Sequence, residues 1–209
     1  MTSWTGTRGL YAIVDPEHVG GRDPLEVASA ILRGGCAVLQ LRAKRLADRE
    51  LLGLARAMRA LCVKEGVPFV LNDRADLARL VEADGLHLGQ DDLRVSEARL
   101  LVGSMPIGIS THDLAQAEAA VRDGADLIGF GPVFPTATKE NPDPVVGLER
   151  LAEVTRRVPV PVVAIGGITA DHLDSLRTAG AAFVAAISAV AGAPDPEAAA
   201  RRFHEGFRA

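Results

Sequence analysis

The sequence of 209 residues has few cysteines, no excess of positive charge and no long apolar run. Cys36 and Cys62 are its only cysteines, and because neither has the spacing of a metal site, we expect two reduced, buried thiols. The formal net charge of −4 argues against general binding to nucleic acid or to an anionic membrane. No run reaches the ~18 apolar residues of a membrane span, and the first residues lack an apolar signal core. These absences predict a soluble, cytoplasmic protein, and they leave self-association into a homo-oligomer open.

The composition is that of a globular protein. Hydrophobic residues make up 48% of the chain and charged residues 24%, which allows one sizeable core. Short runs rich in Val, Ile and Leu alternate with segments of helical periodicity. One such segment, "DLAQAEAAVRDG", has Asp113 as a candidate N-cap and Gly124 as a candidate stop. The predicted strands cover residues 10–14, 38–41, 69–71, 85–88, 107–110, 127–131, 162–166 and 183–188.

This alternation of strands and helices predicts a parallel sheet, because parallel neighbours need a crossover helix. Eight such units in a chain of this length fit a compact (β/α)8 barrel. An open, doubly wound sheet is the alternative, but it would want a Gly-x-Gly-x-x-Gly turn after its first strand, where this chain has "IVDPEHVGG". We therefore predict the α/β class and a single-domain (β/α)8 TIM barrel over residues 1–209.

Polar residues and glycines stand at the carboxyl ends of seven predicted strands. In a barrel these ends meet on one face, the mouth at which such enzymes carry their chemistry. Capping of single helices would explain one such residue, but not seven together, so we predict a functional site at the mouth. The residues are Gln40, Arg42 and Lys44 after the second strand, Asn72 and Asp73 after the third, Gln90, Asp91 and Asp92 after the fourth, then Ser110, Gly131, Gly166, Gly167 and Ser188.

Three cations and two carboxylates belong to this mouth. Arg42, Lys44 and Lys139 bring positive charge to it, and Asp73 and Asp92 bring negative charge. These groups could form simple ion pairs, and the two carboxylates could be helix N-caps. The same set would also hold a polyphosphate with Mg²⁺, which takes one or two carboxylates plus phosphate oxygens, while Arg and Lys neutralise the remaining phosphate charge.

A second anion site is predicted beside the seventh and eighth strands. Gly166 and Gly167 in "AIGGIT" let backbone N–H groups approach an anion, and Ser188 in "AAISAV" can donate its N–H and hydroxyl. The alternative is that the glycines only make a tight turn. His87, inside the fourth strand, is interpreted as lining the barrel rather than as a general base, and His112 is left without a role. No Ser–His–Asp order or Cys/His metal spacing supports a hydrolase or a zinc site.

The motifs "QLRAK", "LNDR", "GLHLGQDD", "GIS", "GPVFPTATK", "AIGGIT" and "AISA", in this order and near these spacings, resemble those of the thiamine phosphate synthase (thiamine-phosphate pyrophosphorylase) family. The resemblance extends from about residue 10 to residue 207. It implies a (β/α)8-barrel transferase of thiamine biosynthesis. Such an enzyme joins 4-amino-2-methyl-5-hydroxymethylpyrimidine diphosphate to a thiazole phosphate, with Mg²⁺, and releases pyrophosphate through a dissociative, carbocation-like reaction.

The resemblance also implies a role for each matching residue. The segment "TATKENPDP" is a candidate lid that excludes water. Expected contacts of the pyrimidine diphosphate are Gln40, Leu41, Arg42, Ala43, Lys44, Asn72, Ser110 and Lys139, of which Arg42, Lys44, Ser110 and Lys139 are the catalytic candidates. Expected contacts of the thiazole phosphate are Thr136, Ala137, Thr138, Gly167, Ile187 and Ser188, and the expected Mg²⁺ ligands are Asp73 and Asp92.

Three other functions compete with this one. A thiazole tautomerase would keep the phosphate site of Gly167 and Ser188 but would not need the diphosphate-binding residues Arg42, Asp73 and Asp92, all of which are present. A non-catalytic sensor of thiamine precursors could lack the carboxylates and would need an extra interaction surface. A sugar-phosphate isomerase would normally need an acid/base pair of carboxylates or cysteines at the mouth.

Overall fold

The computed structural model describes residues 7–136 and 143–208. Eight parallel strands pair in sequence order, and β8 pairs with β1 to close the barrel. This confirms the predicted (β/α)8 barrel. The bounds 1–209 of a single domain stay a prediction, because they include residues outside the described ranges. The strands are β1 Gly9–Val14, β2 Val38–Leu41, β3 Phe69–Asn72, β4 Gly85–Leu88, β5 Ile107–Thr111, β6 Leu127–Phe130, β7 Val162–Ala164 and β8 Phe183–Ala186.

A helix follows every strand and covers the outside of the barrel. Short 3₁₀ turns, Pro16–His18 and Ala170–His172, precede two of these helices. None of the helices in the described ranges is long and apolar enough to cross a bilayer. The helices are α1 Pro24–Gly34, α2 Asp48–Glu65, α3 Ala75–Leu80, α4 Val95–Val102, α5 Leu114–Arg122, α6 Gly147–Arg157, α7 Leu173–Thr178 and α8 Pro196–Arg208.

Helix α5 shows how the sequence sets these bounds. The carboxylate of Asp113 accepts a hydrogen bond from the N–H of Gln116 at 2.8 Å, as an N-cap should. Ala117 and Ala120 face the barrel and are buried. The helix ends at Arg122, and Gly124 adopts a φ of +98°, a conformation that favours glycine. Both predicted end signals of this helix are confirmed.

Three strands end earlier than predicted. β6 ends at Phe130 rather than at 131, because Pro132 has no N–H to continue the ladder. β7 ends at Ala164 rather than at 166, because Gly166 has a φ of +97° and leaves the extended region. β8 ends at Ala186 rather than at 188, since the carbonyl of Ile187 accepts from the N–H of Ala191 at 2.7 Å and begins a helical turn. In each case the polar or glycine residue follows the strand.

The core has two layers. Inside the barrel, Tyr11, Val70, Leu127 and Phe183 pack together, and the rings of Tyr11 and Phe183 meet edge to face with centroids 6.3 Å apart. A larger apolar layer lies between the strands and the helices. Both cysteines are free and buried, as predicted, and burial raises the pKa of each thiol.

Candidate active site

Strand alternation decides which predicted residues reach the mouth with their side chains. Gln40, in β2, is nearly fully buried, and its amide meets Asn72 from β3. Leu41 alternates to the other face and lies fully buried in the apolar layer between strands and helices. Ala43 packs against the same layer. Leu41 and Ala43 can therefore offer a ligand only their backbone.

An amide pair lies at the floor of the mouth. Nε2 of Gln40 donates to Oδ1 of Asn72 at 2.7 Å. Oε1 of Gln40 is buried and finds no hydrogen-bond partner among the residues that the structure describes. A buried acceptor without a partner costs about 1–3 kcal/mol, so this oxygen is well suited to a donor on a ligand.

Asp73 and Asp92 converge, as the sequence predicts. The carboxyl group of Asp92 is a close neighbour of that of Asp73, and Nζ of Lys44 lies 3.4 Å from Oδ2 of Asp73. Burial, followed by the neighbouring carboxyl of Asp92, raises the pKa of Asp73. The backbone of Asp73 is in the left-handed region, with a φ of +65°, which is uncommon for a residue other than glycine and often marks a functional site.

The alternative that these carboxylates are helix N-caps is wrong. The residues at the N-cap positions of α3 and α4 are Arg74 and Arg94. Oδ2 of Asp92 instead accepts from the N–H of Gly89 at 2.7 Å, within its own loop. Two neighbouring carboxylates offer oxygen ligands for one divalent cation. The pair therefore fits Mg²⁺, which needs one or two carboxylates when phosphate oxygens complete the shell.

Arg42 is held by a residue that the sequence analysis missed. Asp15 directly follows β1, and its carboxylate is fully buried and pairs with Nη1 of Arg42. Nδ1 of His18 lies 3.4 Å from the same oxygen, Oδ2. The first strand thus also brings a charged group to the mouth. The signal was present in "LYAIVD", where a carboxylate ends an apolar strand.

The position of Ser110 is fixed by contacts with His87 and Gln90. Its Oγ lies 2.9 Å from Nε2 of His87, and its carbonyl accepts from Nε2 of Gln90 at 2.6 Å. His87 points into the barrel and is partly buried, and desolvation lowers its pKa to about 4, so the ring is neutral at pH 7. A Cβ on Gly108 or Gly129 would approach this ring to 2.7 or 3.2 Å. His87 lines the barrel, as predicted.

The loops after β6 and β7 are joined backbone to backbone. The N–H of Val133 donates to the carbonyl of Ile165 at 2.8 Å, and that of Phe134 to Gly166 at 3.0 Å. A Cβ on Gly167 would lie 2.2 Å from the carbonyl oxygen of Pro135. This close approach, with a φ of +62°, explains the glycine as part of a tight turn. The alternative explanation of the Gly-Gly pair is thus confirmed for its conformation, while anion binding stays a prediction.

Only some of the remaining predicted residues lie within the described ranges. Thr136 lies at the end of the first described range, and Ala137, Thr138 and Lys139 lie outside the described residues, as does most of the candidate lid. Ile187 packs against the apolar cluster inside the barrel, and Ser188 follows it at the start of the turn after β8. Nδ1 of His112 lies 2.6 Å from the carbonyl oxygen of Gly131, at the rim of the mouth.

The fold and this site define a class of protein: a (β/α)8-barrel enzyme whose mouth combines paired carboxylates with cationic side chains. The sequence model of the thiamine monophosphate synthase family matches residues 10–190. The chain belongs to this family, and it is accordingly a transferase. The predicted resemblance is confirmed.

Individual relatives support the same assignment. The thiamine-phosphate synthase of Anaeromyxobacter dehalogenans (strain 2CP-C) is 48% identical over 202 residues, which cover 96% of this chain and 88% of the relative. That of Bacillus velezensis is 42% identical over 203 residues, or 95% and 90% of the two chains. The solved thiamine phosphate pyrophosphorylase of Pyrococcus furiosus superposes with a TM-score of 0.88 at 34% identity, covering 96% of this chain and 95% of that chain. Orotidine 5'-phosphate decarboxylase of Pyrococcus horikoshii, 15% identical with a TM-score of 0.67, shares the fold alone.

Proposed function

We propose that this chain is a thiamine phosphate synthase. It joins 4-amino-2-methyl-5-hydroxymethylpyrimidine diphosphate to thiazole phosphate and releases pyrophosphate. The observation that carries the proposal is the convergence of the Asp73 and Asp92 carboxyl groups, with Nζ of Lys44 3.4 Å from Oδ2 of Asp73. A tautomerase acting on thiazole phosphate alone would have no diphosphate to bind there. The cytoplasmic location, the absence of nucleic-acid and membrane partners and the homo-oligomer stay predictions.

The diphosphate lies, in this proposal, between the cations and the carboxylate pair. Arg42 and Lys44 neutralise phosphate oxygens, and Lys139 and the hydroxyl of Ser110 contribute further donors. Asp73 and Asp92 hold Mg²⁺, which supplies Lewis-acid stabilisation of charge on the diphosphate when it is bound. The raised pKa of Asp73, caused first by burial and then by the neighbouring carboxyl of Asp92, supports this arrangement, because a bound cation would stabilise the ionised form of the pair.

The amide pair recognises the pyrimidine. The unpartnered Oε1 of Gln40 accepts from the exocyclic amino group of the ring, and Asn72 fixes the orientation of Gln40 through the bond to Nε2. A ring without this amino group would leave the buried oxygen without a donor, at a cost of about 1–3 kcal/mol. The pair therefore orients the ring with its methylene toward the diphosphate half of the mouth.

The chemistry asks for charge stabilisation rather than for a strong base. The bond between the pyrimidine methylene and the diphosphate oxygen breaks, the amino group of the ring stabilises the resulting cation, and the thiazole nitrogen donates its lone pair to the methylene. His87, which is neutral at pH 7, holds Ser110 and takes no proton from substrate. The departing pyrophosphate stays bound to Arg42, Lys44 and Lys139.

The thiazole phosphate occupies the other half of the mouth. Thr136, Ala137, Thr138, Gly167, Ile187 and Ser188 are proposed as its contacts. The turn at Gly167 supports this placement, because a glycine places no side chain between its backbone N–H and an anion.

One assay tests the proposal. The purified full chain is incubated with both phosphorylated substrates, with Mg²⁺ and then with EDTA, and thiamine phosphate and pyrophosphate are quantified. Formation of both products with Mg²⁺, and of neither with EDTA, is expected. No product despite tight binding of thiazole phosphate would overturn the proposal and favour the tautomerase or the sensor. Omission of either substrate is the control.

A further inference from the structure

The carboxylate of Asp15 is fully buried at the mouth of a barrel that is proposed to bind a diphosphate. Its Oδ1 accepts from the N–H of Glu17 at 3.0 Å and thereby caps the short turn after β1. Its Oδ2 meets Nη1 of Arg42, with Nδ1 of His18 at 3.4 Å. Both carboxylate oxygens thus have partners, and one of those partners is a proposed diphosphate ligand.

Stability alone does not explain this carboxylate. Removing a charge from water costs several kcal/mol, and a buried ion pair often repays little more than that cost. A serine or asparagine would cap the same turn without the charge. A negative charge beside the mouth also repels an anionic substrate. Simple electrostatics therefore disfavours Asp15 at this position.

What Asp15 does provide is a fixed orientation for Arg42. The backbone N–H of Arg42 donates to the carbonyl of Val14 at 3.0 Å, so the end of β1 holds the backbone of Arg42 while the next residue, Asp15, holds its guanidinium. The Arg42 side chain keeps 24% of its surface exposed, so the group is not sealed into the protein. A guanidinium has five N–H donors in a planar fork, and the contact between Nη1 and Asp15 uses only part of them.

We propose that Asp15 is a positioning residue, which holds the guanidinium of Arg42 so that its remaining N–H donors face the diphosphate. The proposal rests on the proposed function only in its use of Arg42 as a diphosphate ligand. It makes a prediction opposite to that of simple electrostatics: neutralising Asp15 removes a nearby negative charge, and yet weakens the binding of an anion. Preorganisation of an arginine fork, rather than net charge, then sets the affinity.

The test measures the affinity of the full chain for inorganic pyrophosphate with Mg²⁺ by calorimetry. Asp15→Asn should raise the Kd by about tenfold, the order expected for a charge-assisted contact. The KM for thiazole phosphate should stay unchanged. Glu17→Gln is the matched control, because Glu17 is in the same loop and its carboxylate pairs with the exposed Arg45 at 3.0 Å. This control should bind pyrophosphate like the wild type.

A double-mutant cycle separates positioning from a general effect. In an Arg42→Gln background, Asp15→Asn should cause no further loss of pyrophosphate affinity, because the group it positions is gone. Additive losses would overturn the proposal, and so would an Asp15→Asn variant that binds pyrophosphate as tightly as the wild type or more tightly. If Asp15→Asn does not fold, Asp15→Ser takes its place, since serine also caps the turn. Failure of both variants to fold would make the carboxylate structural and overturn the proposal.

The outcomes also separate this inference from the proposed function. A wild type that binds pyrophosphate but forms no thiamine phosphate, with the predicted loss in Asp15→Asn, would overturn only the function. A wild type that forms thiamine phosphate, with Asp15→Asn unchanged in pyrophosphate affinity, would overturn only the positioning role. A wild type that binds no pyrophosphate would overturn both.

Discussion

In the half of the mouth formed by β2 to β5, side chains hold one another, whereas in the half formed by β6 and β7 backbone packs directly on backbone. Gln40 donates to Asn72, and Oγ of Ser110 lies 2.9 Å from the ring of His87. On the other side, the N–H of Phe134 donates to the carbonyl of Gly166, and a Cβ on Gly167 would collide with Pro135. The first half is built from polar side chains, whereas the turn at Gly167 in the second half leaves no room for a side chain.

The difference predicts how each half fails. In the half formed by β2 to β5, an isosteric substitution removes one functional group and leaves its neighbours in place, so activity should fall while stability stays the same. In the half formed by β6 and β7, a side chain added at Gly167 must displace a loop, so stability and substrate affinity should fall together. Three substitutions test this contrast.

The largest effect is expected from Asp92→Asn. It keeps the shape of the side chain and removes a proposed Mg²⁺ ligand, so kcat/KM should fall by about a hundredfold to a thousandfold, as for other lost charge-stabilising groups. The urea midpoint should change little. Asp91→Asn is the control, because Asp91 is the adjacent carboxylate and is exposed. Activity of Asp92→Asn equal to that of this control would remove Asp92 from the metal site.

Gly167→Ala should reduce stability and thiazole affinity together. The new Cβ would lie 2.2 Å from the carbonyl oxygen of Pro135, and the φ of +62° adds strain, for a total of roughly 3 kcal/mol. Gly66→Ala is a matched control, since Gly66 has a φ of +68° with nothing in the described residues within 4 Å of a Cβ. It should cost about 1 kcal/mol. Equal losses in urea unfolding for the two variants would contradict the backbone clash.

The smallest effect concerns the pH dependence of stability. His87 has a pKa lowered from 6.5 to about 4, so the unfolded chain binds more protons between these values. The free energy of unfolding should therefore fall as the pH falls, and His87 should account for about 2 kcal/mol between pH 6.5 and pH 5. Urea unfolding of His87→Gln should show a shallower slope across this window.

His204→Gln serves as the comparison for that slope. His204 is only partly buried, and its pKa is lowered chiefly by desolvation. Its replacement should flatten the pH dependence less than that of His87. A wild-type slope that survives in His87→Gln would show that the His87 ring does not govern it.

Much of the architecture was accessible from the sequence because strand periodicity and helix end signals are local. Asp113 and Gly124 bounded α5 as expected, and Asp73 and Asp92 converged because the carboxyl ends of parallel strands share a face. The role of Asp15 was missed because the local sequence "VDP" indicates only a turn. Its partner Arg42 follows the next strand and is brought near by the tertiary structure. The demand for glycine at position 167 depends on Pro135, which only the tertiary structure brings near.

The contrast between the halves is tested most directly by titrating the full chain with pyrophosphate and with thiazole phosphate, each with and without Mg²⁺. Pyrophosphate should bind tightly only with Mg²⁺ and lose this dependence in Asp92→Asn, because carboxylates and cations build its half of the mouth. Thiazole phosphate should bind equally well to the wild type and to Asp92→Asn, with Mg²⁺ and without it. Pyrophosphate binding that ignores both Mg²⁺ and Asp92, or thiazole phosphate binding that requires them, would contradict the account.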